Sequence, residues 1–148
     1  MKKKKFLLGT LLSIFICSYT FAANNDNGIS ERIKASFQHE FANAEDVRWE
    51  DCYQYVKASF KLEDQELSAY FNPEGDLLAI TRNIISDQLP IHLLTILRKE
   101  YAGYWITDLF ELYVHDETIY YVTIQDADRE KVLKSSGDDW DFYHTKRR

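Results

Sequence analysis

An apolar stripe recurs in this chain at a fixed distance. Ile29, Ile33, Phe37 and Phe41, followed by Ala42 and Asn43, return sixty positions later as Leu89, Leu93, Leu97 and Tyr101, followed by Ala102 and Gly103. The turn-like Asn72-Pro73-Glu74-Gly75-Asp76 returns as Lys134-Ser135-Ser136-Gly137-Asp138 at an offset of sixty-two. A unit of roughly 60 residues buries too little apolar surface to be comfortably stable alone. The pattern therefore predicts two tandem units, 29–84 and 85–145, sharing one core in a single domain over 29–148.

The start of the chain reads as a secretory signal over 1–22: basic Lys2 to Lys5, an apolar run from Phe6 to Ile16, and small residues at the exit, with Thr20-Phe21-Ala22 fitting cleavage after Ala22. That run falls short of the roughly 20 apolar residues a membrane anchor needs, and no later stretch reaches that length, so no membrane insertion is expected after cleavage. Bulky Ile16 before Cys17 argues against a lipoprotein signal. The expected location is periplasmic or secreted, with a disordered leader over 23–28. Cleavage removes four lysines and no acid, so 18 bases become 14 against 24 acids and the formal charge moves from −6 to −10. Such a balance repels phosphate backbones and anionic membranes, which argues against nucleic acid as a partner. One cysteine, Cys52, then remains, too few for an intramolecular disulfide, and it is expected to be a quiet, partly buried thiol.

Along the chain, Ser30 stands where an N-cap belongs, before apolar positions 29, 33, 37 and 41 spaced every four residues, which predicts an amphipathic helix. A second helix is predicted from about Asp87 to Tyr101, with Ser86 or Asp87 as cap, Pro90 in the first turn and Gly103 past the end. Cys52 to Leu62 alternates, with Val56, Ala58, Phe60 and Leu62 on one face; Leu67, Ala69 and Phe71 continue it, and Leu77 to Arg82 follows the turn at Asn72 to Gly75. Further on, Ile106, Phe110, Leu112 and Val114 can point inward, as can Tyr120, Val122 and Ile124, with shorter strands to the end. The fold class so predicted is α+β: two tandem helix-plus-antiparallel-meander repeats, the helices on one face of a shared sheet and the other face open.

The segment from Ala35 to Trp49, in which a helix ends in an aromatic and a valine-x-tryptophan strand begins, is similar to the opening of PepSY-like secreted bacterial proteins. Tyr70-Phe71-Asn72-Pro73-Glu74-Gly75-Asp76-Leu77-Leu78 resembles that family's aromatic-turn-glycine hairpin, and Leu89-Pro90 the start of its second repeat. The resemblance spans nearly the whole mature chain, departing from the pattern at Lys134 to Gly137. It implies a fold grouped with a secreted inhibitor of β-lactamase, protein binding across the sheet, and a looser kinship with protease propeptide domains. It implies no catalytic residues.

Chemistry of other kinds has little support in the residues. His39, His92, His115 and His144 are scattered, His39-Glu40 lacks a second histidine at metal-binding spacing, and no phosphate loop or nucleophile elbow occurs. Asp126, Asp128 and Glu130 lack the full ligand ladder of a calcium loop. No cofactor and no metal is expected, and the chain reads as a non-enzyme. The remaining signal is aromatic: ten Tyr, nine Phe and three Trp. Tyr53, Tyr55, Tyr70, Trp105, Tyr113 and Tyr121 are placed on the face away from the helices, as anchors for an envelope or extracellular protein or peptide, with Lys57 and Lys61 as polar rim. Aromatics are also simply good strand residues that stack on cross-strand neighbours. The expected function is docking of that partner, with inhibition as one form, and the alternative is a small ligand or glycan on the same aromatics.

Overall fold

The computed structural model describes residues 28–147. The signal expected over 1–22, and all but the last residue of the leader expected over 23–28, lie outside them. Helix α1 (Glu31–Glu40) leads into β1 (Glu45–Asp51), β2 (Val56–Leu62), β3 (Gln65–Phe71) and β4 (Leu77–Asn83); a 3-10 turn at Ser86–Gln88 precedes α2 (Ile91–Glu100), and β5 (Trp105–Val114), β6 (Glu117–Gln125), β7 (Arg129–Ser135) and β8 (Asp141–Arg147) follow. The eight strands form one antiparallel sheet in chain order.

Local chemistry explains the elements. The Ser30 hydroxyl accepts from the Ile33 amide at 3.3 Å, capping α1 as its position predicts. Pro90 is itself the N-cap residue of α2 and supplies no side-chain cap, while Ser86 and Asp87 belong to the separate 3-10 turn. Two-residue turns join β2 to β3 and β5 to β6, and both residues of each, Glu63-Asp64 and His115-Asp116, have positive φ. Such primed turns match the twist of the flanking strands. Gly75 takes φ +93° where the β3–β4 turn meets α1, and a Cβ there would lie 2.9 Å from Arg32 Cγ.

Each helix covers part of one sheet face. Under α1, Phe37 meets Phe60 at 5.0 Å, Trp49 at 5.1 Å and Phe41 at 5.3 Å between ring centroids, with Ala58, Ala69 and Phe71 closing the cluster. Under α2, Leu93, Leu94 and Leu97 pack on Leu109, Val122, Ile124 and Leu133, and the Trp140 indole donates to the Leu93 carbonyl at 2.9 Å.

Two features overturn the predicted fold class. Among the described residues the sheet is a single eight-stranded ladder with two ten-residue α-helices upon it, rather than two helix-plus-meander repeats. The face opposite the helices is also not open throughout: Tyr55, Tyr70, Ala79, Leu112, Val114, Ile119 and Tyr121 form a further buried cluster. Strand alternation places it there, since Tyr70 and Ala79 pair beside Ala69 and Ile80, which turn toward α1. Cys52 is half-buried; the chain's other cysteine, Cys17, lies outside the described residues.

The β4–β5 ladder joins the two helix-covered regions, pairing Ile80 with Tyr113, Thr81 with Leu112, Arg82 with Glu111 and Asn83 with Phe110. Across it, Arg82 Nε and Nη2 donate to the two Glu111 carboxylate oxygens at 3.2 and 3.1 Å, and Nη1 donates to Gln65 Oε1 at 2.9 Å. A partly buried bidentate pair is the stronger kind of side-chain contact. Arg82→Met is expected to cost about 1–2 kcal/mol in a urea melt of the mature chain. Adding Glu111→Leu is expected to recover part of that loss, because it removes the orphaned carboxylate. Losses that simply add would show that the seam rests on its backbone ladder alone.

Candidate binding face

The part of the second face that stays polar lies on β1 to β4. Val56, Ala58 and Phe60 turn toward α1, which leaves Lys57, Ser59 and Lys61 on the other side of β2. The same alternation turns out Arg48 and Glu50 beside inward Val47 and Trp49, and Ser68 and Thr81 on β3 and β4. Register then aligns a row across four strands: Arg48 opposite Ser59, Ser59 opposite Ser68, and Ser68 opposite Thr81. The hydroxyls of Ser59 and Ser68 lie 3.3 Å apart. A groove of about 520 Å³ covers this row and also touches Asp46, Lys61, Glu66, Arg82 and Asn83.

The edge of the groove is fixed by charge pairing. Lys61 Nζ donates to Asp46 Oδ2 at 2.8 Å, and Lys57 Nζ donates to Glu50 Oε1 at 3.5 Å. The Lys61 ammonium, through its hydrogen bond and charge, holds the Asp46 carboxyl below its ordinary pKa, and Asp46 raises that of Lys61 in return. Both side chains are exposed, so this pair orients groups more than it stabilises the fold.

The predicted anchors separate into different environments. Tyr53 is 94% exposed and lies in the β1–β2 loop, outside the strand expected from Cys52; its amide donates to Asp51 Oδ1 at 3.1 Å and its φ is 64°. Tyr55, Tyr70 and Tyr121 lie on the face away from the helices but are buried there, at 9%, 3% and 4% exposure, rather than open to a partner. Tyr55 packs on Tyr70 with centroids 5.7 Å apart, and Tyr121 stacks on Phe110 at 5.0 Å and meets Tyr143 at 5.6 Å. Tyr113 pairs with Ile80 and so stands on the helix-bearing face, its hydroxyl donating to Asp116 at 2.9 Å. Trp105 is exposed at the start of β5, at the opposite end of the sheet from Tyr53. Lys57 and Lys61 border the polar part of the second face, as described.

A bulge explains the misplaced residues of β5. Ile106 pairs with Ile124 and Asp108 with Thr123, so Thr107 is an extra residue that shifts the alternation. Leu109 therefore joins the α2 cluster, while Phe110, Leu112 and Val114, expected there, pack in the second-face cluster. The acidic Asp126-Ala127-Asp128 stretch is a turn: Asp126 Oδ1 accepts from the Asp128 and Arg129 amides at 2.9 and 2.8 Å, and these bonds, the first foremost, lower its pKa. Among the described residues, no group of three or more His, Cys, Asp and Glu side chains is placed to hold a metal ion. Sequence reasoning missed Arg48, Ser59, Ser68 and Thr81 as a set.

No family model matches the chain, so the PepSY-like resemblance gains no support there. No curated protein matches it. Solved structures do share the fold. A DUF2874 family protein from Bacteroides uniformis superposes with TM-score 0.71 at 13% identity, over 80% of this chain and 88% of that one. A BLIP-like protein from Bacteroides fragilis gives 0.69 at 22% identity, over 80% and 85%. A protein from Bacteroides eggerthii, provisionally described as periplasmic, gives 0.70 at 9% identity, over 80% and 88%.

The buried tyrosines make a pH prediction. Burial pushes the Tyr121 phenol up to about 12, and burial likewise raises Tyr70, where a hydrogen bond with Thr81 works against the shift, and Tyr55. A folded-state pKa above the unfolded value favours the protonated folded state, so this stability is fully present below pH 10 and is lost as pH rises toward about 12. Urea melts over that window are expected to show declining stability, with a smaller decline in Tyr121→Phe. An identical slope in parent and variant would place the Tyr121 hydroxyl in contact with water.

Proposed function

We propose that the chain is a secreted, non-enzymatic binding module of the cell envelope that docks a protein or peptide over the β1–β4 part of the face turned away from the helices. Inhibition of the docked partner is one form this activity takes. The observation that carries the reading is the polar groove, set on four paired strands and lined by hydroxyls and charges. Tyr53 adds a large exposed ring at the far end of the same two strands, in a loop pinned by the Asp51 carboxylate. Exposed tyrosine gives contact area with few torsions to freeze on binding. In this reading Tyr53 is the aromatic anchor and Lys57 and Lys61 the polar rim. Tyr55, Tyr70 and Tyr121 support the face from within, and Trp105 and Tyr113 lie outside the contact.

The signal sequence, the acidic mature charge and the fold shared with a BLIP-like protein support this assignment. A second reading has one observation in its favour: about 520 Å³ falls within the size range of small-ligand sites, which admits a glycan or metabolite. The polar lining favours the peptide surface, since small-molecule sites are mostly apolar.

The test is capture of envelope proteins on the immobilised mature chain beside Tyr53→Ala and Ser59→Tyr, followed by calorimetric titration of the retained protein. Both variants should melt as the parent does, and each should weaken the purified partner about tenfold or more. A partner bound equally well by both folded variants would refute docking at this face. Glycan binding without any protein partner would favour the second reading.

A further inference from the structure

The groove has a more specific chemistry, and its assignment rests on the docking reading above. Its lining includes the cations Arg48, Lys61 and Arg82. Lys61 is paired with Asp46 and Arg82 with Glu111. Arg48 has neither an ion pair nor a hydrogen bond among the described residues, although Asp46 and Lys61 lie near enough to feel its charge. Its strand position is nevertheless fixed, because Val47 and Trp49 on either side pack into the α1 cluster.

We infer that Arg48 is the receiving group for an acidic side chain of an extended peptide segment laid across β1 to β4. The guanidinium fork matches a carboxylate in bidentate geometry, a fit that a lysine does not reproduce. Beyond it, half-buried Ser59 and Ser68 continue the row toward the middle of the sheet, where Thr81 is buried and hydrogen-bonded with Tyr70. Hydroxyls both donate and accept, so such a row can serve the N–H and C=O groups of a crossing backbone. Glu66, opposite Lys61 in register, is the groove's other acid besides Asp46, and no hydrogen bond engages it among the described residues. It stands two strands across and two residues along from Arg48, about 12 Å away. An extended chain covers that distance in about four residues, an even step that keeps both side chains on one face. The groove thus selects a segment with an acid at one position and a base four residues away, and Glu66 disfavours a second acid.

Panning a phage-displayed library of random heptapeptides on the immobilised mature chain tests this, with Arg48→Ala, Arg48→Lys, Glu66→Gln and the groove-filling Ser59→Tyr in parallel. The enriched sequences are then synthesised and titrated by fluorescence polarisation, and thermal melts confirm that each variant is folded. The expected winners carry Asp or Glu four residues from Lys or Arg, bind Arg48→Ala about tenfold or more weakly with partial rescue by Arg48→Lys, and lose their preference for the base on Glu66→Gln. No enrichment, or acid-bearing peptides that bind Arg48→Ala unchanged, overturns the inference. Peptides without an acid that still lose binding to Ser59→Tyr would overturn it while leaving docking at this face intact. Enriched peptides indifferent to both Arg48→Ala and Ser59→Tyr would remove both.

Discussion

The β4–β5 ladder is the contact on which the other layers depend. The cluster on the second face draws Tyr55, Tyr70 and Ala79 from one side of that seam and Leu112, Val114, Ile119 and Tyr121 from the other. Without the ladder, neither set has enough neighbours to exclude water. Each large apolar side chain returned to water would cost about 1.5–3 kcal/mol. Domains of this size are stable by only about 5–15 kcal/mol in total. The Arg82–Glu111 pair marks the same seam on the helix-bearing face, between the clusters beneath α1 and α2.

That arrangement also decides what surface is left for binding. The aromatic residues of the second face are consumed as core toward the end of the sheet where β1 turns into β2. What remains toward the other end is hydroxylated and charged, with β1 fastened to β2 by two lysine–carboxylate pairs. Both outer strands carry bulges, between Glu45 and Arg48 in β1 and at Tyr143 in β8. Bulges on edges hinder pairing with further strands. The docking proposed above accordingly uses the face of the sheet rather than its edges.

Much of the local structure was legible in the sequence. The four-residue apolar stripes fold as α1 and α2, and the alternation in β2 and β3 correctly separates Val56, Ala58, Phe60, Ala69 and Phe71 from Lys57, Ser59 and Ser68. Three features were not legible. The bulge at Thr107 has no local signature, since alternation counted across it simply runs out of phase. Tyr55 reads as outward by parity, and it is outward, yet Tyr70 and Cys52 close over it only once strands distant in sequence are paired. The row from Arg48 to Thr81 consists of common polar residues on four different strands, so only register brings it together. Arg48 itself had a usable signal: it is the outward residue between two apolar ones that pack under α1.

The most direct test of one cooperative sheet is native-state hydrogen exchange of the mature chain, resolved by residue. The account predicts that the amides of β3 to β6 exchange slowest and share one opening free energy across the seam, from Ile80 and Arg82 to Glu111 and Tyr113. Two separate opening energies, one for β1 to β4 and another for β5 to β8, would contradict it, because each half would then hold a core of its own.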